Sequence, residues 1–336
     1  MAGLTIYARV DGGFSVWDPA RNYWRNAKAL GVDDPDRPDA YHFGPDELWN
    51  GLRGLHGKII CRGLIEDWIT WQLKEGARKH SRFNMLRRVL KQLSPPGEPI
   101  LEPGEPVRIA VDDSREHPTL RMPYGDVPLV HASAGIRRVL GLAYLIVWAW
   151  SEHEIARLLL SQPAENRIVL LFDEVETHLH PRWQRDIVAS LLKVIEDLGA
   201  ENAHLQVLLT THSPLVLAAM EPSFNAKTDR LFHFRLEAAD VSLESLDVYP
   251  RGDASDWLTS DVFELGEARS LEAERAMQAA EEWLAGKRKG LPGGLSSFEK
   301  INAALRNTVP GDDLFWIRWE LERERVEGSD GAVQSR

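Results

Sequence analysis

The 336-residue chain is acidic, with a formal charge of −11 and 43% apolar residues. That length suits one large or two smaller domains with a sizeable core, and the charge excludes a global pull toward nucleic acid while leaving a local basic face open. Cys61 is the only cysteine, which excludes a disulfide framework or a cysteine zinc cage and makes a reducing, cytoplasmic compartment the expectation.

In chain order, TIYARV (5–10) and FSVWDP (14–19) flank DGG, a hairpin signal at what reads as a sheet edge. Residues 31–45 are polar and turn-rich, and the pattern from Asp46 to about Leu93 is mostly helical, with Trp68 and Trp71 as core anchors. Turn residues at 95–114 mark a boundary, with an extended segment near 107–111. A Ser/Gly turn at 133–135 leads into an apolar helix over about 136–157. Its run LGLAYLIVWAW has eleven residues, too few to span a bilayer, so no membrane partner is expected.

An apolar strand at 167–172 follows, then a helix from Pro181 to about 198 with Ile187, Leu191, Leu192, Ile195 and Leu198 on one stripe. LQVLLTT (205–211) is a second strand, Ser213 and Pro214 start another helix, and RLFHFRLE (230–237) is a third strand. This alternation predicts a parallel sheet covered on both faces. The final third is charged and helical. The expected division is 1–115, 116–250 and 251–336.

The chemistry concentrates at strand ends, where open parallel sheets bind ligands. IVLLFDE ends on Asp173 and Glu174. An aspartate there suits Mg²⁺, and the next carboxylate can polarise an attacking water. His212 ends LLTTH on the next strand, where an imidazole can reach a terminal phosphate or the water; otherwise it only caps a helix. In HASAGIRR, Ser133 and Gly135 open a helix whose free N–H groups favour an anion, with Arg137 and Arg138 beside them, although a plain helix cap has the same appearance.

SAGIRR, IVLLFDE, ETHLHP and LLTTHSP, in that order, resemble the signature turn, Walker B strand, D-loop region and switch strand of an ABC-type ATPase head. The likeness is to the branch of chromosome-maintenance, recombination and overcoming-lysogenization-defect-like AAA ATPases, over about residues 131–236. It implies a partial P-loop NTPase (α/β) fold: a parallel sheet with flanking helices, an N-terminal antiparallel hairpin and a helical C-terminal extension. It further implies ATP and Mg²⁺ as cofactors, Asp173 as metal ligand, and Glu174 and His212 as catalytic residues. Ser133, Gly135 and Arg137 would face a nucleotide held head to tail by a second subunit, with DNA or a defence effector as a further partner.

The family's phosphate loop, GxxxxGK followed by Ser or Thr, is not found. GLRGLHGKI (51–59) has the wrong spacing and ends in Ile59. An incomplete head, a split protein completed by another chain and a degenerate scaffold all stay open. A metal-dependent hydrolase using Glu176, His178 and His180 is a rival, since E-x-H-x-H on an extended segment aims three ligands one way. Asp256, Asp261 and Glu264 read as helix starts and solvated faces, and Lys287, Arg288 and Lys289 as a helix-dipole complement.

Overall fold

The computed structural model describes residues 3–22, 39–75, 78, 81–163, 167–198 and 203–321. The turn-rich segment at 31–45 lies outside them as far as residue 38. The chain forms two compact units, one of residues 1–232 and 243–250, the other of 233–242 and 251–336.

In the first unit, Leu4–Ala8 (β1) and Phe14–Trp17 (β2) make the expected hairpin. Gly12 takes φ 84° in its loop, a conformation open to a residue without Cβ. Tyr41–Phe43 (β3) adds antiparallel to β2. After the short helix Pro45–Asn50 (α1), the expected helical stretch is interrupted. Leu52–Arg53 (β4) and Ile59–Cys61 (β5) form a small hairpin instead, because Gly51, His56 and Gly57 all adopt positive φ. Helical structure resumes at Leu64–Glu75 (α2) and Arg82–Gln92 (α3), the latter capped by the Ser81 hydroxyl.

Glu102–Pro103 (β6), Thr119–Met122 (β7) and Gly125–Pro128 (β8) build a small antiparallel sheet. The expected extended segment at 107–111 contributes only a Val107–His117 bridge.

Ala134–Leu159 (α4) is buried almost all round from Val139 to Ser151, as its continuous apolar run requires. Arg167–Phe172 (β9), Pro181–Gln184 (α5), Ile187–Leu198 (α6), His204–Leu209 (β10) and Pro214–Met220 (α7) follow. The expected helix after Pro181 is thus broken at 185–186. Its buried stripe is Ile187, Val188, Leu191, Val194 and Leu198, whereas Leu192 is 49% exposed.

The main sheet has the order β10-β9-β1-β2-β3. β10, β9 and β1 are parallel, and Ala8, Phe172 and Leu209 are aligned at their carboxyl ends. The N-terminal hairpin is therefore not an edge piece: β1 is the central strand. Among the described residues, β10 has no strand on its outer side.

The helix α4 packs on β1 and α3, and α6 on α3 and β10. Trp68 and Trp71 are buried as anticipated. Trp71 stacks on Tyr144 at 5.6 Å and Phe43 meets Trp148 edge-on at 5.3 Å. Each such fully buried side chain contributes roughly 2–3 kcal/mol by area alone.

Leu231–Glu237 (β11) does not join this sheet, contrary to the expectation from its alternating apolar pattern; it pairs with Asp240–Leu246 (β12) in a separate hairpin. A two-residue connection is available locally, with Ala238 at φ 54°.

The second unit contains Ala254–Leu258 (α8), Leu271–Leu284 (α9) and Phe298–Thr308 (α10). Small residues Ala273, Ala276 and Ala280 of α9 share a core with Ile301, Leu305 and the stacked pair Phe298–Trp319. Its acids are committed locally: Asp253 caps α8, Asp261 pairs with Arg251 at 2.8 Å and Glu264 with Arg235 at 3.2 Å. Lys287 pairs with Glu282, and Arg288 lies over the Trp283 ring. No helix among the described residues is long and apolar enough to cross a membrane.

Candidate functional site

The aligned ends of β1, β9 and β10 bring three short segments together. Asp173 N–H donates to the Ala8 carbonyl, and Thr210 N–H to that of Phe172, so each parallel ladder runs one residue past the strands. Beyond them the chain turns sharply. Glu174 has φ 49° and His178 has φ 65°, left-handed conformations that disfavour residues with a Cβ.

That turn is held by side chains from the end of β10. The Thr210 hydroxyl donates to Asp173 Oδ1 at 3.0 Å and accepts from Glu174 N–H at 2.9 Å. Asp173 is half-buried and its Oδ2 has no protein donor among the described residues, so this oxygen could hold Mg²⁺ or its water. Glu174 accepts from the Thr177 hydroxyl at Oε2, while its Oε1 lies 3.8 Å from His212 Nε2. Glu174 and His212, 38 positions apart in sequence, thus face one another.

The signature-like turn is built as a helix start. The Ser133 hydroxyl accepts from Ile136 N–H at 3.3 Å, the capping role its sequence allowed. Gly135 makes a close backbone approach, but to its own chain: a Cβ there would stand 2.6 Å from the His178 carbonyl oxygen. Arg137 is exposed. Arg138 turns inward and donates to the Arg9 carbonyl at 2.8 Å. Burial pulls its guanidinium below the usual value, against the opposing pull of the Asp11 and Asp173 carboxylates. Sequence reasoning weighted Arg137, yet its neighbour is the cation beside Asp173. A helix turns about 100° per residue, and the inward direction was visible only in the apolar face that continues through Val139 and Leu140.

The E-x-H-x-H metal reading does not hold. Residues 173–178 form turns, not an extended segment. Glu176 accepts from Thr211 Oγ1 and His212 N–H, and the His180 ring caps α5 by accepting from Arg182 N–H. Among the described residues no group of three or more His, Cys, Asp or Glu side chains is arranged to hold a metal. Nor does 51–59 provide a phosphate loop: it folds as the β4–β5 hairpin, and none among the described residues replaces it.

Residues 8–218, more than half the chain, match the family model described as AAA domain, putative AbiEii toxin, Type IV TA system. A probable ATPase of retron Vc95 from Vibrio cholerae serotype O1 biovar El Tor is 38% identical over 61 residues, 18% of this chain and 10% of that protein. A probable ATPase of retron Ec83 from Escherichia coli is 37% identical over 54 residues, 16% of this chain and 9% of that protein. The match therefore spans about a tenth of each relative's length. The SMC head domain from Thermotoga maritima aligns over 52% of this chain and 49% of that one, at 17% identity and a TM-score of 0.30, too distant to show a common fold. With the mixed sheet and its strand-end carboxylates, the family match settles kinship at the level of the domain: the chain belongs to the AAA domain family described as putative AbiEii toxin of type IV toxin–antitoxin systems.

Proposed function

We propose that this chain is the part of an ABC-type AAA ATPase head that carries the signature, Walker B and switch elements, and that it hydrolyses ATP once a Walker A-containing segment completes it. The observation that supports this most is the 3.8 Å approach of Glu174 to His212 across the ends of two parallel strands, with Asp173 tied beside them through Thr210. Asp173 would hold Mg²⁺, which when bound neutralises phosphate charge. Glu174 accepts a proton from water, which its half-exposed carboxylate can reach. His212 donates or accepts at the terminal phosphate, its imidazole being open to solvent. The residues present fit the metal and the water; the phosphate cradle has to come from elsewhere, and the open side of β10 lies next to this edge. Ser133, Gly135 and Arg137 would meet a nucleotide held by a second subunit, head to tail, with a DNA-maintenance or defence effector as the wider partner.

The test is phosphate release with Mg²⁺ and ATP, from the chain alone and from the chain joined to a Walker A-bearing segment read from flanking DNA in all frames. The chain alone should match its Glu174→Gln variant, and the joined form should exceed its own Glu174→Gln variant by about 10²-fold or more, the scale of a lost general base. Robust turnover by the chain alone that Glu174→Gln abolishes would overturn the need for completion. Turnover of the joined form that ignores Glu174→Gln would overturn the assignment of the base. Ser133→Arg should leave nucleotide binding in place and abolish the ATP-dependent rise in mass seen by light scattering.

A further inference from the structure

We propose that Glu176 is the positioning residue that fixes His212 beside Glu174, acting through two hydrogen bonds that cross from the turn after β9 to the end of β10. The inference rests on the reading of His212 as the phosphate-side imidazole. Glu176 Oε1 accepts from His212 N–H at 2.5 Å, and Oε2 accepts from Thr211 Oγ1 at 2.7 Å. One carboxylate thereby holds two consecutive residues that lie 35 and 36 positions away.

The His212 side chain has little else to hold it. The side chain is 82% exposed, and among the described residues its ring makes no hydrogen bond, only the 3.8 Å approach to Glu174. Its location follows from its backbone, and the side chain gripping that backbone is Glu176. The grip extends further: Thr211 Oγ1, while donating to Glu176, accepts from Ser213 N–H at 3.0 Å. The Ser213 hydroxyl in turn donates to Gln184 Oε1 and caps α7. Glu174 and Glu176 leave the same turn, so a shift of that turn moves the candidate base and the histidine's backbone together. Bonds to an ionised acceptor are about twice as strong as neutral ones, which suits a carboxylate bridging two strand ends.

Three substitutions separate hydrogen bonding from space filling. Glu176→Gln keeps an acceptor for His212 N–H and can turn its amide N–H toward Thr211 Oγ1. Glu176→Met fills similar volume and accepts nothing. Thr211→Val removes one arm together with the acceptor of Ser213 N–H. The measurement is amide hydrogen exchange at His212 in the full chain without nucleotide, with circular dichroism as the check on folding. His212 N–H should be protected in the unaltered chain and exchange about 3–10 times faster in Glu176→Gln, whose neutral acceptor makes a bond about half as strong. It should exchange roughly 10–100 times faster in Glu176→Met, the scale of one lost charge-assisted hydrogen bond. Thr211→Val should fall between. Equal protection in Glu176→Met and the unaltered chain would overturn the proposal, as would Glu176→Gln exchanging as fast as Glu176→Met. Should Glu176→Met fail to fold, Thr211→Val decides: unchanged exchange at His212 overturns the two-armed grip, and exchange accelerated at His212 more than at Ser213, whose own acceptor is also lost, supports it. Because no nucleotide is present, failure of the ATPase reading shows up separately, as completed-head turnover that ignores Glu174→Gln.

Discussion

Asp67 and Glu176 are both carboxylates that accept from a hydroxyl, one inside the core and one at the strand ends. Asp67, on α2, is 6% exposed and accepts from the Tyr144 hydroxyl at 2.9 Å; Tyr144 in turn contacts Cys61 Sγ at 2.9 Å. Burial raises the Asp67 carboxyl to about 6 despite the Tyr144 hydrogen bond and the Arg82 charge, and pushes the Cys61 thiol up to about 12. The same burial drives Tyr144 well above the usual phenol range. Glu176, by contrast, is half-buried, with two donors from its own chain and water at hand. The difference teaches what each setting selects. A dry network holds its acids toward neutrality and serves packing, whereas a wet rim with convergent donors keeps carboxylates available for metal, water and backbone. The helix α4 takes part in both, giving Tyr144 to the first and Arg138 to the second.

The comparison breaks most readily at Cys61. If the core network is dry, alkylation of the native chain near pH 8 should be about 10³-fold slower than that of an unperturbed thiol, from the loss of thiolate alone. Full labelling should require denaturant. Fast native labelling, read by mass spectrometry, would show the network open to water.

Asp67 gives the next effect. Its folded-state pKa is raised from 3.8 to about 6, so the folded chain binds the extra proton between those values. The associated stability is present below about pH 4 and is lost as pH rises through about 6, at most about 3 kcal/mol. Asp67→Asn should remove this dependence and raise the melting temperature at pH 7. Thermal melts across pH 4–8 for the two proteins check the sign.

A smaller change tests the rim. Ala normally gains about 1 kcal/mol over Gly inside a helix. At Gly135 the added Cβ meets the His178 carbonyl, so Gly135→Ala should instead cost about 1–2 kcal/mol in urea unfolding. A stabilised variant would show that the Ser133–Gly135 turn and the 173–178 turn are not in register as described. The smallest effect is expected at the exposed Arg62–Glu66 pair on neither network, where Arg62→Ala should cost under about 0.5 kcal/mol.

Much of the strand-end architecture was legible because its signals are local. DGG specified the β1–β2 turn, the apolar run specified α4, and Ser213 and Pro214 specified the start of α7. What escaped depends on distant partners or on a single residue's backbone. No local pattern says that β1 pairs with β9 some 160 positions on, or that β11 turns back on β12, since alternation looks the same in either setting. The Glu176 contacts were not foreseen, and the rival reading of E-x-H-x-H as metal ligands assumed an extended chain. Left-handed Glu174 and His178 turn the segment and send Glu176 toward Thr211 and His212.

The two margins of the main sheet also differ. β3 is three residues long, a short edge, whereas β10 carries six, HLQVLL, with no proline, lysine or acid and with Leu208 48% exposed. Among the described residues no strand covers its outward row of amides and carbonyls, which is a template for an extended segment, and composition of this kind favours cross-β assembly. Concentration is therefore a hidden variable in handling this protein. Turbidity should grow more steeply than linearly with protein, and a single charge at Leu208, as in Leu208→Lys, should suppress it by turning the margin from an invitation into a barrier.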